Sequence, residues 1–187
     1  MLNRLSSFLY RLSTGPVTLA ALVIFLLFVS LVTPKQSAQA KAYSRDAGSP
    51  DMSFFYSAGD LHRMAESYGE AGRLAYVYAR FTFDVIFPLI YLFFLGTSLS
   101  WTLARVLPEG QRGRLLDLFP LFGWLFDLLE NLSTSIVMLN FPKQVSLAAS
   151  LASVFTMLKW FFVGGSFVIL VPALFIALWK RRLTRKG

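Results

Sequence analysis

The chain has 187 residues, of which 56% are hydrophobic and none is cysteine, and its formal net charge is +8. This apolar fraction is larger than one soluble core of this length can bury, which predicts an all-α membrane protein. The missing cysteines exclude disulfides, thiolate metal sites and cysteine nucleophiles, and the single histidine excludes a bis-histidine haem within one protomer, so we expect no metal and no cofactor.

The first apolar segment covers residues 17–33 and follows Arg4 and Arg11. At about 1.5 Å per residue it spans roughly 25 Å, slightly less than the hydrocarbon core of a bilayer. Beyond its end, Ala38-Gln39-Ala40 has the small-x-small form that signal peptidases accept. The segment is therefore either a retained transmembrane helix or a removed signal peptide, and both alternatives place residue 41 on the outer side.

Residues 35–72 form a long polar stretch, which predicts an extracytoplasmic loop. Glycine, serine and proline cluster at residues 46–50, as is typical of a turn. Within the stretch, residues 59–68 have the spacing of a short amphipathic helix, with Asp60 at its start and Gly69 at its end. We expect this helix to lie at the outer membrane interface, either as an ordered loop over the helix ends or as a lid.

Three further apolar segments predict spans over residues 73–105, 115–140 and 145–179, which completes a four-transmembrane-helix bundle in a single domain of residues 1–187. Basic residues cluster near the N-terminus, in residues 105–114 and in the tail 180–187. The positive-inside rule places these clusters and both termini in the cytoplasm, and we expect the membrane to be a bacterial cytoplasmic (inner) membrane. The basic tail has no accompanying aromatic and basic module, so no nucleic-acid partner is predicted.

The third span carries four polar residues on one helix face, because their spacing is i, i+3, i+4 and i+7: Asp127, Glu130, Asn131 and Thr134. Charges inside a bilayer are costly and usually face the bundle interior or a wet cavity. Two acids this close cannot both ionise cheaply in a dry site, so a cation or a proton must compensate. Lys159 in the fourth span either reaches down to Glu130 or extends to the outer interface.

The second span also carries charge. Arg80 and Asp84 are spaced i, i+4 and can neutralise each other. Pro88 has no amide hydrogen, so the backbone carbonyl of Asp84 loses its helical donor. That carbonyl is then either available to a cation, a water or a ligand hydroxyl, or it is satisfied by a neighbouring helix.

These features predict a polar pocket in the outer half of the bundle that binds a small amphiphile or a membrane lipid. The alternatives are an accessory subunit with a membrane-protein partner and a proton or cation transporter. If the chain is an enzyme, Asp127 or Glu130 would be the general acid or base. Lys159 or Arg80 would then hold an anionic group. The predicted ligand-binding residues are Arg80, Asp84, Tyr91, Asp127, Glu130, Asn131 and Lys159.

Overall fold

A computed structural model describes residues 2–44 and 47–184. Helix accounts for 87% of the structure and the described residues contain no strand, which confirms the predicted all-α class. Two short 3-10 helices, Pro50–Met52 and Arg112–Leu118, precede α4 and α6. Asp46 of the predicted turn and the tail residues Arg185 and Lys186 lie outside the described residues. The α-helices are α1 (Leu2–Leu12), α2 (Gly15–Leu31), α3 (Thr33–Ser44), α4 (Ala58–Arg80), α5 (Phe83–Val106), α6 (Phe119–Asn140) and α7 (Ser146–Thr184).

α1 is an amphipathic helix that the apolar pattern of the spans did not reveal. The Ser6 hydroxyl is buried and donates to the two carboxylate oxygens of Asp117 at 2.9 and 3.0 Å. The Tyr10 hydroxyl donates to the backbone carbonyl of Arg114 at 3.0 Å. These bonds hold α1 against the 3-10 helix that leads into α6. The Ser100 hydroxyl of α5 also donates to Asp117 Oδ2 at 3.1 Å, so hydroxyls from two helices hold this buried carboxylate.

α2 packs along α5. Ala21 is fully buried, and the rings of Phe25 and Phe94 stack with their centroids 4.6 Å apart. The remaining α2 side chains are largely exposed, as expected of a helix with lipid neighbours.

α3 is helical where the sequence predicts the beginning of the loop 35–72, so the loop starts only after Ser44. The helix lies close to α4, since a Cβ on Gly72 would come within 2.9 Å of the Tyr43 carbonyl oxygen. The Tyr43 ring also contacts the Tyr68 ring at 5.7 Å between centroids. Tertiary packing of this kind stabilises helices whose own composition is polar, which explains why the sequence pattern missed α3.

α4 begins at a capping box. The Ser57 hydroxyl accepts from the Asp60 amide at 3.1 Å, and the Asp60 carboxylate accepts from the Ser57 amide at 2.8 Å. Gly69, the predicted helix end, is a kink with φ of 65°, after which α4 continues to Arg80. Leu61 and Ala65 are fully buried in a core cluster with side chains of α6 and α7. The predicted helix 59–68 is therefore helical in the structure and packs against α6 and α7.

The predicted second span, residues 73–105, is divided at residues 81–82, where α4 ends and α5 begins. The division places Arg80 in the last turn of α4 and Asp84 in the first turn of α5. A cation at a helix C-terminus and an anion at a helix N-terminus are both favourable with the helix dipole. The two charges therefore stabilise the end of α4 and the beginning of α5. A continuous span would have no helix ends at these positions.

α6 and α7 are antiparallel neighbours joined by residues 141–145. Small side chains at the start of α7, including Ala148 and Ala152, are buried against Val137 and Met138 of α6. Near the other end of the hairpin, a Cβ on Gly123 would lie 2.7 Å from Val163 Cγ2. Small residues at both ends thus set a close spacing between the two helices.

Within the described residues, three helical stretches are long and apolar enough to cross a membrane: Gly15–Ser44, Ala58–Val106 and Ser146–Leu183. This finding supports a membrane protein. α6, the predicted third span, is not among them, so length and composition do not establish the predicted four-span bundle. The reason is the polar face of α6, since Asp127, Glu130 and their neighbours lower its hydropathy while they are buried against other helices.

Candidate functional site

Six charged side chains meet where α4, α5, α6 and α7 approach the Pro50–Met52 turn, and we call them the charge cluster. Ion pairs connect them in two groups, one around Arg80 and one around Lys159. The polar face predicted for α6 is buried, with Asp127 7%, Glu130 0% and Asn131 3% exposed. The members of the charge cluster are Asp51, Arg80, Asp84, Asp127, Glu130 and Lys159.

Lys159 lies inside the bundle. It is 6% exposed and forms an ion pair with Glu130. The distance from its Nζ atom to Asp127 Oδ1 is 3.5 Å. Of the two predicted orientations, Lys159 therefore adopts the one that reaches Glu130. Burial of the lysine and the glutamate together avoids an isolated charge, which would be far more costly than the pair.

Arg80 holds two carboxylates. Its guanidinium pairs with Asp51, and its Nη2 lies 2.7 Å from Asp84 Oδ2. The guanidinium carbon also lies 4.5 Å from the centre of the Tyr76 ring. Burial alone would raise the pKa of the Asp51 carboxyl, but the Arg80 guanidinium, together with Lys159, outweighs burial and holds that pKa below its ordinary value.

The sequence offered little to predict Asp51. It lies in a 3-10 turn, where no helical or strand periodicity relates it to Arg80. The Ser49 hydroxyl donates to Asp51 Oδ2 at 3.0 Å and fixes the carboxylate in the turn. The hydroxyls of Tyr56 and Thr156 are buried and lie 2.9 Å apart. This pair was also missed, because Tyr56 lies in the polar stretch before the predicted interfacial helix.

The backbone carbonyl of Asp84, which Pro88 leaves without a helical donor, is satisfied by a neighbouring helix. The Asn131 side-chain amide donates to the backbone carbonyl of Asp84 at 3.3 Å. This is the second of the two predicted outcomes for that carbonyl, and it gives Asn131 a structural partner. Further along α5, the Tyr91 hydroxyl donates to Asp127 Oδ2 at 3.2 Å.

A cavity of about 340 Å³ adjoins the charge cluster. Five of the predicted site residues line it, namely Arg80, Asp84, Tyr91, Asp127 and Lys159, whereas Glu130 and Asn131 are buried behind its wall. Asp127 is therefore the predicted acid or base that borders the space a ligand could occupy. Five aromatic side chains from α2, α5 and α7 also line the cavity, and we call them the aromatic wall: Phe25, Phe83, Phe87, Trp160 and Phe167.

α3 closes one side of this cavity. Gln36, Ser37 and Ala40 line it, although the sequence placed these residues in a loop. The helix thus contributes small and neutral polar groups to the lining of the cavity.

Comparison of the chain with protein families, with curated proteins and with solved structures found no match.

Proposed function

We propose that this chain binds a small amphiphile or a lipid in the cavity beside the charge cluster. The proposal rests on one observation: charged side chains and phenylalanine and tryptophan rings line the same cavity. A ligand with a polar head and an apolar body is complementary to a lining that contains both kinds of side chain. The volume of about 340 Å³ lies at the lower end of the range for small-molecule sites, roughly 300–1,000 Å³.

The proposal includes α6 as a fourth span. Its buried face holds Asp127 and Glu130, while Leu125, Leu132 and Leu139 on other faces are exposed at 42%, 50% and 58%. A helix with an exposed apolar face and a paired, buried polar face is tolerated in a bilayer. A fourth span returns the chain to its starting side, so both termini would be cytoplasmic in a bacterial inner membrane.

Native mass spectrometry of the purified chain tests the binding proposal. We expect the wild type to retain a small-molecule adduct from the membrane. Ser37→Trp should remove that adduct, because the indole would occupy the cavity. Ala38→Trp is the matched control, since Ala38 is exposed and does not line the cavity. The absence of any adduct, or equal adduct occupancy in the two variants, would contradict the proposal.

A further inference from the structure

The charge cluster has more acids than bases. Four carboxylates, those of Asp51, Asp84, Asp127 and Glu130, form ion pairs with two cations, Arg80 and Lys159. Among the described residues, Arg80 and Lys159 are the cations that form ion pairs with these four carboxylates. Fully ionised, the cluster would have a formal excess of two negative charges. An excess of this kind in a poorly solvated site requires either bound protons or another positive charge.

The carboxylates differ in how closely a cation holds them. Glu130 is in direct contact with Lys159, and Asp51 and Asp84 are in direct contact with Arg80. Asp127 reaches Lys159 only at 3.5 Å, and its closer partner is the neutral Tyr91 hydroxyl at 3.2 Å. Asp127 is also 7% exposed and lines the cavity. It is thus the acid with the most remaining capacity for a positive group in the cavity.

The aromatic wall favours the same kind of ligand. The faces of phenylalanine, tyrosine and tryptophan rings attract cations, especially where water is excluded, and they also pack well against hydrocarbon. An anionic head would instead meet Asp51, Asp84 and Asp127 along the wall, and the two cations there are already paired. The lining therefore discriminates between ligands by charge as well as by polarity.

We infer that the cavity selects a cationic amphiphile, an organic ammonium on an apolar chain, whose positive head lies beside Asp127. This inference rests on the proposed function, because it names the class of ligand for the same cavity. The ammonium supplies part of the missing positive charge, and the apolar chain lies along the aromatic wall.

Titration of two ligands of equal chain length tests the inference. The probes are dodecyltrimethylammonium, which is a permanent cation, and the neutral dodecanol, each followed by native mass spectrometry of the full chain in a non-ionic detergent. We expect the wild type to bind the cation about tenfold or more tightly than the alcohol. Asp127→Asn should reduce that preference to nearly onefold. Glu66→Gln, an exposed carboxylate outside the cavity, should leave the preference unchanged.

The outcomes separate this inference from the proposed function. If both probes bind equally well and Ser37→Trp blocks both, the cavity binds amphiphiles but the charge selectivity is refuted. If neither probe binds, or if Ser37→Trp blocks neither, the proposed function fails as well. If Asp127→Asn does not fold, Tyr91→Phe replaces it, because loss of the Tyr91 hydroxyl frees Asp127 and should strengthen the preference for the cation. A preference that is unchanged or reduced in Tyr91→Phe would overturn the inference.

Discussion

Glu130 and Lys159 depend on each other for a counter-charge, because both are almost fully removed from solvent. Removal of one partner of such a pair leaves an uncompensated buried charge. We therefore expect Lys159→Met to lower the free energy of unfolding by about 3–5 kcal/mol. The double variant Lys159→Met with Glu130→Leu should recover the part of that loss that comes from Glu130, whereas Asp127, which also pairs with Lys159, still lacks its cation.

The measurement is denaturant titration of the detergent-solubilised chain. Arg63→Ala is the control, since Arg63 pairs with Asp60 on the exposed surface and should have little effect. A Lys159→Met variant as stable as the wild type would show that the pair is not buried as described.

At the level of single residues, the sequence predicted side chains that follow a helical repeat and missed those that do not. The buried face of α6 follows from the spacing of Asp127, Glu130 and Asn131. The depth of Lys159 in its predicted span did not decide its orientation, because the side chain is long enough to reach either Glu130 or the outer interface. Asp51 could not be predicted, since its position depends on how a turn folds back onto Arg80.

The α6 and α7 hairpin depends on glycine at one point of close approach. Gly123→Ala would place a methyl group 2.7 Å from Val163 Cγ2 and 3.4 Å from the Val163 backbone nitrogen. The helices must separate or Val163 must move, and we expect a loss of about 1–3 kcal/mol in the free energy of unfolding.

Gly164→Ala is the matched control on the facing helix. No atom lies within 4 Å of a Cβ at that position, so the substitution should be neutral or stabilise the helix by up to about 1 kcal/mol. Thermal unfolding of the two variants, followed by circular dichroism, measures the difference. Equal midpoints for the two variants would contradict the close packing of α6 on α7.

At the level of elements, the apolar segments were predictable and the polar helices were not. α2, α5 and α7 each contain a long apolar run, which is a strong sequence signal. α3 has a polar composition and is stabilised by its contact with α4 at Gly72, a contact between segments far apart in sequence. The division between α4 and α5 was also missed, because Arg80 and Asp84 fit a continuous helix as well as two helix ends.

For the whole molecule, the orientation of α6 decides whether the chain crosses the membrane four times. Glu109 and Gln144 are both exposed and lie at opposite ends of the segment that contains α6. The chain has no cysteine, so Glu109→Cys and Gln144→Cys each introduce a single labelling site without background.

We expect a membrane-impermeant maleimide to label Gln144→Cys in cells with a permeable outer layer, and to label Glu109→Cys only after the inner membrane is opened. Both variants should react fully in detergent, which controls for accessibility. Labelling of both sites from the same side would show that α6 does not cross the membrane.

Binding of an amphiphile in the cavity beside the charge cluster can be followed directly through Trp160, which lines that cavity. The chain has four tryptophans, and substitution of the others by phenylalanine gives single-tryptophan variants that retain either Trp160, which is 38% exposed, or Trp179, which is 57% exposed and does not line the cavity. In lipid vesicles we measure fluorescence quenching by bromine-labelled dodecyltrimethylammonium and, separately, by bromine-labelled dodecanol. We expect the quenching of Trp160 by at least one probe to contain a saturable component, while the quenching of Trp179 rises in proportion to the concentration of the probe in the membrane. Proportional, unsaturated quenching at both tryptophans with both probes would contradict the proposed binding.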